Sequence, residues 1–419
     1  MNLTPPSQVP VLVAAAGAAW ETTALDLLAR QGSGGTLHKR CVDLSDLVAS
    51  TATGLARVAL VSARLPGLDA DAVATLAHGG IGVVVVLDSA PPGDRERLLR
   101  LGARQVLDED LAGLAAALRD AAARTPGTEA PAVAPAPPAA PARGGRSVVV
   151  WGAAGAPGRT TVATGVAAEL AHRDRATLLL DADPYGGAVA QHLGILDGAS
   201  GLLAAARAAN AGELDATRLA GLARAVAGDL RVLTGLPRPD RWPEVRAATF
   251  ADVLGAARAL ADWLVVDVGF SLEGDPADPF ATGPQRNHMT LAALTDADEV
   301  VVVGAADPVG LSRLARGLVD LHDLVPDASV TVVVNRTRPS LGWSEREIHA
   351  MVEGFVRARG VHFVPDDRVA ADRALMSGRS LVESGDSALR RGLSAVVDGL
   401  AGDRAAASSG RLRRRTRAS

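Results

Sequence analysis

The chain has 419 residues, of which 48% are hydrophobic and 21% charged, and its formal net charge is −4. This length exceeds one ordinary domain, and the composition is that of a globular protein rather than a disordered one. The charge excludes a general attraction to nucleic acid or acidic lipid, and a single cysteine, Cys41, excludes an intrachain disulfide and a cysteine-rich metal site.

Residues 1–123 alternate strand-like and helix-like patterns. Short apolar runs predict strands at 11–15, 58–62, 81–87 and 105–107. Helical spacing of apolar residues occurs over 20–30, 94–101 and 111–122. The run IGVVVVL is continuous enough to be buried on both faces of a parallel sheet. Alternating elements with short links predict a doubly wound α/β domain.

This first segment resembles a response-regulator receiver domain, with VALVSARLPGLDA at the place of the phosphoacceptor strand end. Ser62 stands where a receiver has its phosphoacceptor aspartate, and Ala15, Ala16 and Gly17 stand where its acidic pair is expected. Phosphotransfer needs a carboxylate nucleophile and a Mg²⁺ site. The resemblance therefore implies a flavodoxin-like pseudo-receiver used for docking, and an unrelated α/β domain is the alternative.

Two segments have compositions that do not predict a packed core. Residues 124–146, RTPGTEAPAVAPAPPAAPARGGR, are rich in Pro and Ala and predict an extended, semi-rigid linker. A proline-rich binding motif is the alternative there. The C-terminal residues 403–419 end in RLRRRTRAS and predict a basic, disordered tail, with contact to acidic lipid or DNA as the alternative.

Residues 147–402 carry a second α/β pattern. Apolar runs predict strands at 147–151, 177–180, 230–233, 263–266, 299–303, 330–334 and 361–364. Helical stretches separate most of them, and a last helix is predicted over 387–400. This pattern predicts a largely parallel sheet flanked by helices on both faces.

The stretch SVVVWGAAGAPGRTTVATGVAAEL, residues 147–170, predicts a phosphate-binding loop. A strand leads into a turn with three glycines, and a hydroxyl pair and an Ala-rich helix follow. The backbone N–H groups and the helix N-terminus would face the anion. Relative to the usual G-x-x-x-x-G-K-[ST], Ala153 replaces the first glycine and Arg159 replaces the lysine.

Polar residues follow three further predicted strands. Asp181 and Asp183 end one, Asp267 ends a second, and Asn335 with Arg336 ends a third. Ligands of open α/β sheets bind outside the carboxyl ends of the strands, so these side chains are expected in one crevice with the loop. Donors, a hydroxyl, carboxylates and a water-orienting group are what ATP with Mg²⁺ requires.

The second domain resembles the MinD/ParA group of P-loop ATPases, whose loop usually reads K-G-G-x-G-K-T-[ST]. The two-domain layout resembles the CpaE and TadZ proteins of pilus assembly and the septum-site-determining proteins of actinobacteria. The resemblance implies nucleotide contacts from Gly155, Ala156, Gly158, Arg159, Thr160, Thr161, Asn335 and Arg336. It also implies catalytic roles for Asp183 and Arg159, and Mg²⁺ binding by Thr160, Asp181 and Asp267.

The loop departs from the family pattern at several positions. The family's signature lysine falls at Ala154, and the loop lysine falls at Arg159. Ala156 replaces a glycine, and Pro157 removes one N–H group. Arginine keeps the charge, but its planar fork is larger than an ammonium group. The sequence therefore predicts ATP binding with weak or slow hydrolysis.

The expected function is an ATP-dependent homodimeric switch that positions pilus, secretion or septum machinery, with partners bound through the pseudo-receiver. A cytoplasmic location is expected, because no apolar run is long enough to span a membrane. Peripheral attachment at the membrane's inner face or a cell pole stays open, and nucleic acid is not an expected partner. The alternatives are a non-catalytic scaffold and a DNA-partition ATPase. A dinucleotide-dependent oxidoreductase fits least, because the glycine spacing differs from G-x-G-x-x-G.

Overall fold

A computed structural model describes residues 8–30, 33–51, 53–68, 70–88, 94–123, 144–196, 198–274 and 285–415. The predicted linker over 124–146 lies outside these residues except for its last part, 144–146. The chain divides into two compact units, which contain a five-stranded and an eight-stranded sheet.

The N-terminal unit alternates strands and helices. Its strands are β1 (Val9–Ala14), β2 (Gly35–Arg40), β3 (Val58–Ser62), β4 (Gly82–Leu87) and β5 (Gln105–Asp108). Its helices are α1 (Glu21–Ala29), α2 (Leu44–Thr51), α3 (Ala70–His78), α4 (Asp94–Arg100) and α5 (Leu114–Ala123). All neighbouring strands pair in parallel, in the order β2-β1-β3-β4-β5.

The three inner strands of this sheet carry the apolar runs that made them predictable. Every residue of β3 is buried, and one hydrophobic cluster covers each face of the sheet. Strand β2 was not predicted, because this edge strand pairs on one side only and its sequence GTLHKR is largely exposed. At the carboxyl end of β3 the Ser62 hydroxyl donates to Asp88 Oδ2 at 2.7 Å.

The described residues of the C-terminal unit form eight strands. They are β6 (Arg146–Trp151), β7 (Thr177–Ala182), β8 (Arg224–Ala225), β9 (Leu230–Leu233), β10 (Trp263–Val268), β11 (Glu299–Ala305), β12 (Val330–Thr337) and β13 (Gly360–Pro365). Its α-helices are α6 (Arg159–His172), α7 (Val189–His192), α8 (Gly201–Asn210), α9 (Ala216–Leu222), α10 (Ala247–Leu260), α11 (His288–Asp296), α12 (Pro308–Leu324), α13 (Glu345–Glu353), α14 (Arg368–Ser377) and α15 (Ala388–Arg415). Short 3₁₀ turns cover Pro239–Glu244 and Pro339–Leu341.

The order of this sheet places β6 near its middle. The strands run β13-β12-β11-β6-β10-β7-β9-β8, and all pairs are parallel except β8 with β9. All seven predicted strands are present, and the missed β8 is a two-residue edge strand without an apolar run. Helices α6 and α15 pack on one face, and α10, α11 and α12 on the other. The loop after β6 therefore lies at the same sheet edge as the ends of β7, β10 and β12.

Helix α15 is longer than predicted. It continues to Arg415, whereas the sequence analysis ends it at residue 400 and expects a disordered tail over 403–419. Alanine and arginine, both strong helix formers, dominate the added segment and explain the extension. Among the helices that the structure describes, none is both long enough and apolar enough to cross a membrane.

Glu299 anchors the opposite edge of this sheet. Its side chain is fully buried, and Arg146 and Arg359 each place a guanidinium nitrogen 3.2 Å from Oε2. The hydroxyls of Ser329 and Thr331 donate to the carboxylate at 2.8 and 2.6 Å. The same two arginines donate to backbone carbonyls of α15, so the carboxylate links the strands to the last helix.

We expect Glu299→Ala to lower the free energy of unfolding by about 3 kcal/mol, because removal of a buried carboxylate leaves its partners uncompensated. Urea unfolding followed by tryptophan fluorescence measures this effect. Glu353→Ala is the matched control, since Glu353 is 64% exposed and should change stability by less than about 0.5 kcal/mol. Equal effects of the two substitutions would contradict the anchoring role of Glu299.

Candidate functional site

Residues 152–158 join β6 to α6 and form the predicted loop. Gly155 and Gly158 have φ angles of 75° and 89°, in the left-handed region that favours glycine. A Cβ atom on Gly152 would collide with the Val303 carbonyl oxygen, and one on Gly158 would collide with Asn335 Nδ2. The glycines are therefore required both by backbone conformation and by close packing.

The loop presents unpaired backbone donors. The amides of Gly158, Arg159, Thr160 and Thr161 have no hydrogen-bond acceptor among the described residues. They belong to the first turn of α6, where the helix cannot satisfy them and where its dipole is positive. No side chain in the described part of the chain caps this helix. Such a set of donors binds phosphate or another anion.

Thr160 and Asp267 join the loop to β10. The Thr160 hydroxyl donates to Asp267 Oδ2 at 2.6 Å. The other oxygen, Asp267 Oδ1, is buried and has no hydrogen-bond partner in the part of the chain that the structure describes. A buried carboxylate oxygen without a donor fits a site that a cation completes.

A second carboxylate lies beside the first. Asp181 on β7 stands directly opposite Asp267 in the parallel register of the two strands. Burial, with repulsion from Asp181 next in importance, raises the pKa of Asp267 to about 8. Burial raises the pKa of Asp181 to about 7. The protein without a metal therefore keeps protons on this pair near neutral pH, and a divalent cation would replace them.

These groups fit Mg²⁺ in its usual nucleotide-bound form. The ion takes one or two protein oxygens together with phosphate oxygens and waters. Thr160 supplies a hydroxyl, and Asp267 supplies a carboxylate oxygen that lacks a partner. Within the described residues, no group of three His, Cys, Asp or Glu side chains is arranged to hold a metal ion.

Asp181 also holds the turn that follows β7. Its Oδ2 accepts from the amide of Val189 at 3.2 Å, and Oδ1 accepts from the amide of Asp183 at 3.3 Å. Gly187 packs so closely that a Cβ atom there would overlap this carboxylate. The turn therefore positions Asp183, which also accepts from the amide of Tyr185 at 2.8 Å.

Arg159 folds back along the loop. Its Nη1 donates to the Gly152 carbonyl at 3.3 Å, and its Nη2 lies 3.7 Å from Asp183 Oδ2. The two charged side chains are only 17% and 14% exposed. The guanidinium carbon also lies 6.0 Å from the centre of the Phe270 ring. The cation that replaces the loop lysine is thus already paired with Asp183.

The other predicted nucleotide residues divide into two groups. Asn335 Nδ2 donates to the Pro157 carbonyl at 2.9 Å, which brings the end of β12 against the loop. Ala156 closes a turn inside the loop by donating its amide to Ala153 at 2.9 Å. Arg336 is exposed, and among the described residues its side chain makes no hydrogen bond or ion pair. The structure therefore brings the loop, Asn335 and the three aspartates together at one edge of the sheet. The Arg336 side chain makes no contact of this kind with them.

Arg313 on α12 was not among the predicted site residues. A Cβ atom on Gly155 would overlap Arg313 Nη1, so the guanidinium lies directly on the loop. Arg313 also lines an open groove of about 690 Å³, together with Ala154, Phe270 and Asp320. No motif marks Arg313 in the sequence. Its contact with the loop becomes visible only in the fold, where α12 places Arg313 against Gly155.

No protein-family model matches the sequence, and no curated protein matches it either. Similar solved structures align with the C-terminal part of the chain. A ParA family ATPase from Chlorobium tepidum TLS is 18% identical, with a TM-score of 0.49, and the match covers 61% of this chain and 98% of that one. The cell division ATPase MinD from Pyrococcus furiosus is 18% identical, with a TM-score of 0.48 and coverage of 62% and 99%. The septum site-determining protein MinD from Pyrococcus horikoshii OT3, complexed with Mg-ADP, is 18% identical, with a TM-score of 0.47 and coverage of 61% and 97%.

The raised pKa values predict how the stability of the metal-free protein depends on pH. Between about pH 4 and pH 7 the folded chain holds protons on Asp181 and Asp267 that the unfolded chain has released, and Asp267 keeps its proton up to about pH 8. The pair therefore makes the free energy of unfolding fall as pH rises, by about 1.4 kcal/mol per pH unit for each such proton. Asp267→Asn removes one of the protons that the folded chain holds and the unfolded chain has released. The free energy of unfolding of this variant should therefore fall less steeply as pH rises.

Urea unfolding in EDTA at several pH values between about 5 and 8 measures this dependence. Asp320→Asn, which changes an exposed aspartate, is the control and should keep the slope of the unsubstituted protein. Parallel pH profiles for Asp267→Asn and the unsubstituted protein would show that the carboxylate pair carries no extra proton.

Proposed function

We propose that the C-terminal unit binds ATP with Mg²⁺ and acts as a MinD/ParA-like, nucleotide-dependent positioning switch. The hydrogen bond of 2.6 Å between Thr160 and Asp267, beside the unpaired amides of the loop, carries this proposal. In it the amides of residues 158–161 bind phosphate, and Thr160 with Asp267 holds Mg²⁺. Mg²⁺ held there would supply positive charge against the phosphates, and Asp183 would orient the attacking water.

Slow hydrolysis is part of the proposal. The paired positions of Arg159 and Asp183 support it, because a carboxylate that faces a guanidinium has its oxygens partly occupied. Ala154 also offers no charge at the exposed part of the loop. A non-catalytic scaffold shares these features and differs in showing no turnover at all.

The N-terminal unit is proposed to be a pseudo-receiver that docks partners of the switch. Its strand order β2-β1-β3-β4-β5 is the order of flavodoxin-like sheets, which supports this assignment. Ser62 at the end of β3 offers a hydroxyl bonded to Asp88 rather than a free carboxylate, in agreement with a docking role without phosphotransfer. The resemblance to CpaE and TadZ proteins points to pilus, secretion or septum machinery as the cargo.

Thr160→Val tests the nucleotide site. Loss of the hydroxyl should weaken Mg²⁺-dependent ATP binding at least about tenfold, since the metal loses a ligand and Asp267 loses a donor. Isothermal titration of the full chain with ATP, with and without Mg²⁺, measures the effect. Thr295→Val, on the exposed face of α11, is the control and should bind as the unsubstituted protein does. An ATP affinity that changes neither with Mg²⁺ nor with the Thr160→Val substitution would contradict the proposed site.

Asp183→Ala separates a slow ATPase from a scaffold. We expect ATP to shift the full chain from monomer to dimer in light scattering, and single-turnover hydrolysis to be slow and to fall at least about tenfold in Asp183→Ala. Arg159→Lys and Arg159→Ala should both retain ATP binding, because Arg159 is paired with Asp183 and the loop amides bind phosphate without it. A chain that binds ATP without turnover, unchanged by Asp183→Ala, would favour the scaffold. Salt-sensitive, ATP-dependent DNA binding would favour a partition ATPase.

A further inference from the structure

Arg313 reaches the phosphate loop from a different element. Helix α12 follows β11, which is the neighbour of β6 in the sheet. A Cβ atom on Gly155 would overlap Arg313 Nη1 and would lie 3.1 Å from its Cζ. The guanidinium therefore lies against the face of Gly155 that a side chain would otherwise cover. Glycine at this position gives Arg313 access to the loop.

The guanidinium of Arg313 has no ion pair and no hydrogen bond with any residue that the structure describes. It is also exposed at the groove that borders Ala154. Arg159 differs, because its charge faces Asp183 and its Nη1 donates to the Gly152 carbonyl. Of these two arginines beside the loop, Arg313 is the one whose charge no described side chain balances.

A solvated arginine held against a phosphate-binding loop is suited to one chemistry. Its planar fork donates two parallel hydrogen bonds to phosphate oxygens, and this pairing is stronger than that between neutral groups. The loop amides provide partial charges only, and the paired Arg159 must leave Asp183 before its full charge can serve a ligand. At Arg313 a bound triphosphate would therefore find a positive charge that no described residue engages.

We propose that Arg313 is a phosphate-binding residue of the nucleotide site, which donates from α12 to a phosphate at the exposed part of the loop. This inference rests on the proposed ATP-binding function and adds a residue to it from outside the loop motif. Binding of phosphate by Arg313 also ties α12 to the occupied site. The groove beside the loop then differs between the free and the nucleotide-bound protein.

Arg313→Gln tests the inference, with Arg316→Gln as the matched control. Arg316 lies one turn further along α12, lines the same groove and donates to the Ser312 hydroxyl at 3.4 Å. We expect Arg313→Gln to weaken Mg-ATP binding to the full chain about tenfold, Arg313→Lys to restore part of it, and Arg316→Gln to leave it unchanged. The affinity of Arg313→Gln should also depend less on salt, because one charge contact is lost. A merely structural role would not produce that change.

The outcomes separate this inference from the proposed function. If the unsubstituted chain binds Mg-ATP and Arg313→Gln binds equally well, the assignment of Arg313 is wrong and the ATP site stands. Equal losses in Arg313→Gln and Arg316→Gln would show a general effect of groove charge and would also overturn the assignment. A chain that binds no Mg-ATP would overturn both. Thermal unfolding of each variant checks that the fold is kept.

Discussion

Two aspartates buried side by side determine the chemistry of the candidate site in the C-terminal unit. Asp181 and Asp267 end adjacent parallel strands in matched register, so the sheet itself fixes the distance between their charges. Two carboxylates in a low-dielectric site repel each other and resist ionisation, and folding tolerates them only with protons or a cation. Thr160 and the turn after β7 donate to the pair, yet Asp267 Oδ1 stays without a donor among the described residues. The site is thus built around two carboxylates that only protons or a cation can balance, next to a loop of unpaired amides, and a metal–phosphate complex would satisfy both.

Much of this arrangement could be predicted from the sequence because it depends on local patterns. Valine-rich runs mark inner strands that are buried on both faces, and glycines mark the turn where the backbone needs positive φ. Aspartates at strand ends follow from the topology of parallel sheets. Edge strands β2 and β8 were missed because a strand with one neighbour needs no apolar run. The predicted end of α15 was wrong because a polar segment rich in alanine and arginine is compatible both with a helix and with a disordered tail.

Contacts between distant side chains could not be predicted. Asn335 was expected to contact the nucleotide, and in the structure its side-chain amide donates to the Pro157 carbonyl and so supports the loop. The pairing of Arg159 with Asp183 depends on how the turn after β7 directs one carboxylate. Arg313 has no motif, and its approach to Gly155 depends on the packing of α12 beside β11 and β6. Each of these contacts joins elements that are brought together only by the order of strands in the sheet.

In the proposed ATP site, the two arginines at the loop would make nucleotide binding and hydrolysis separable. While Arg159 faces Asp183, that carboxylate shares its charge with a guanidinium and is less able to orient a water molecule. Arg313 is not subject to this competition, because its guanidinium makes no pair with a described residue. In the proposed site, a phosphate could therefore bind through α12 and the loop amides while the Arg159–Asp183 pair stays closed. Turnover would require the further step of opening that pair, and any partner that moves Arg159 towards the phosphate would release Asp183 at the same time. On this proposal, an arginine in place of the loop lysine makes hydrolysis conditional on a rearrangement that binding does not need.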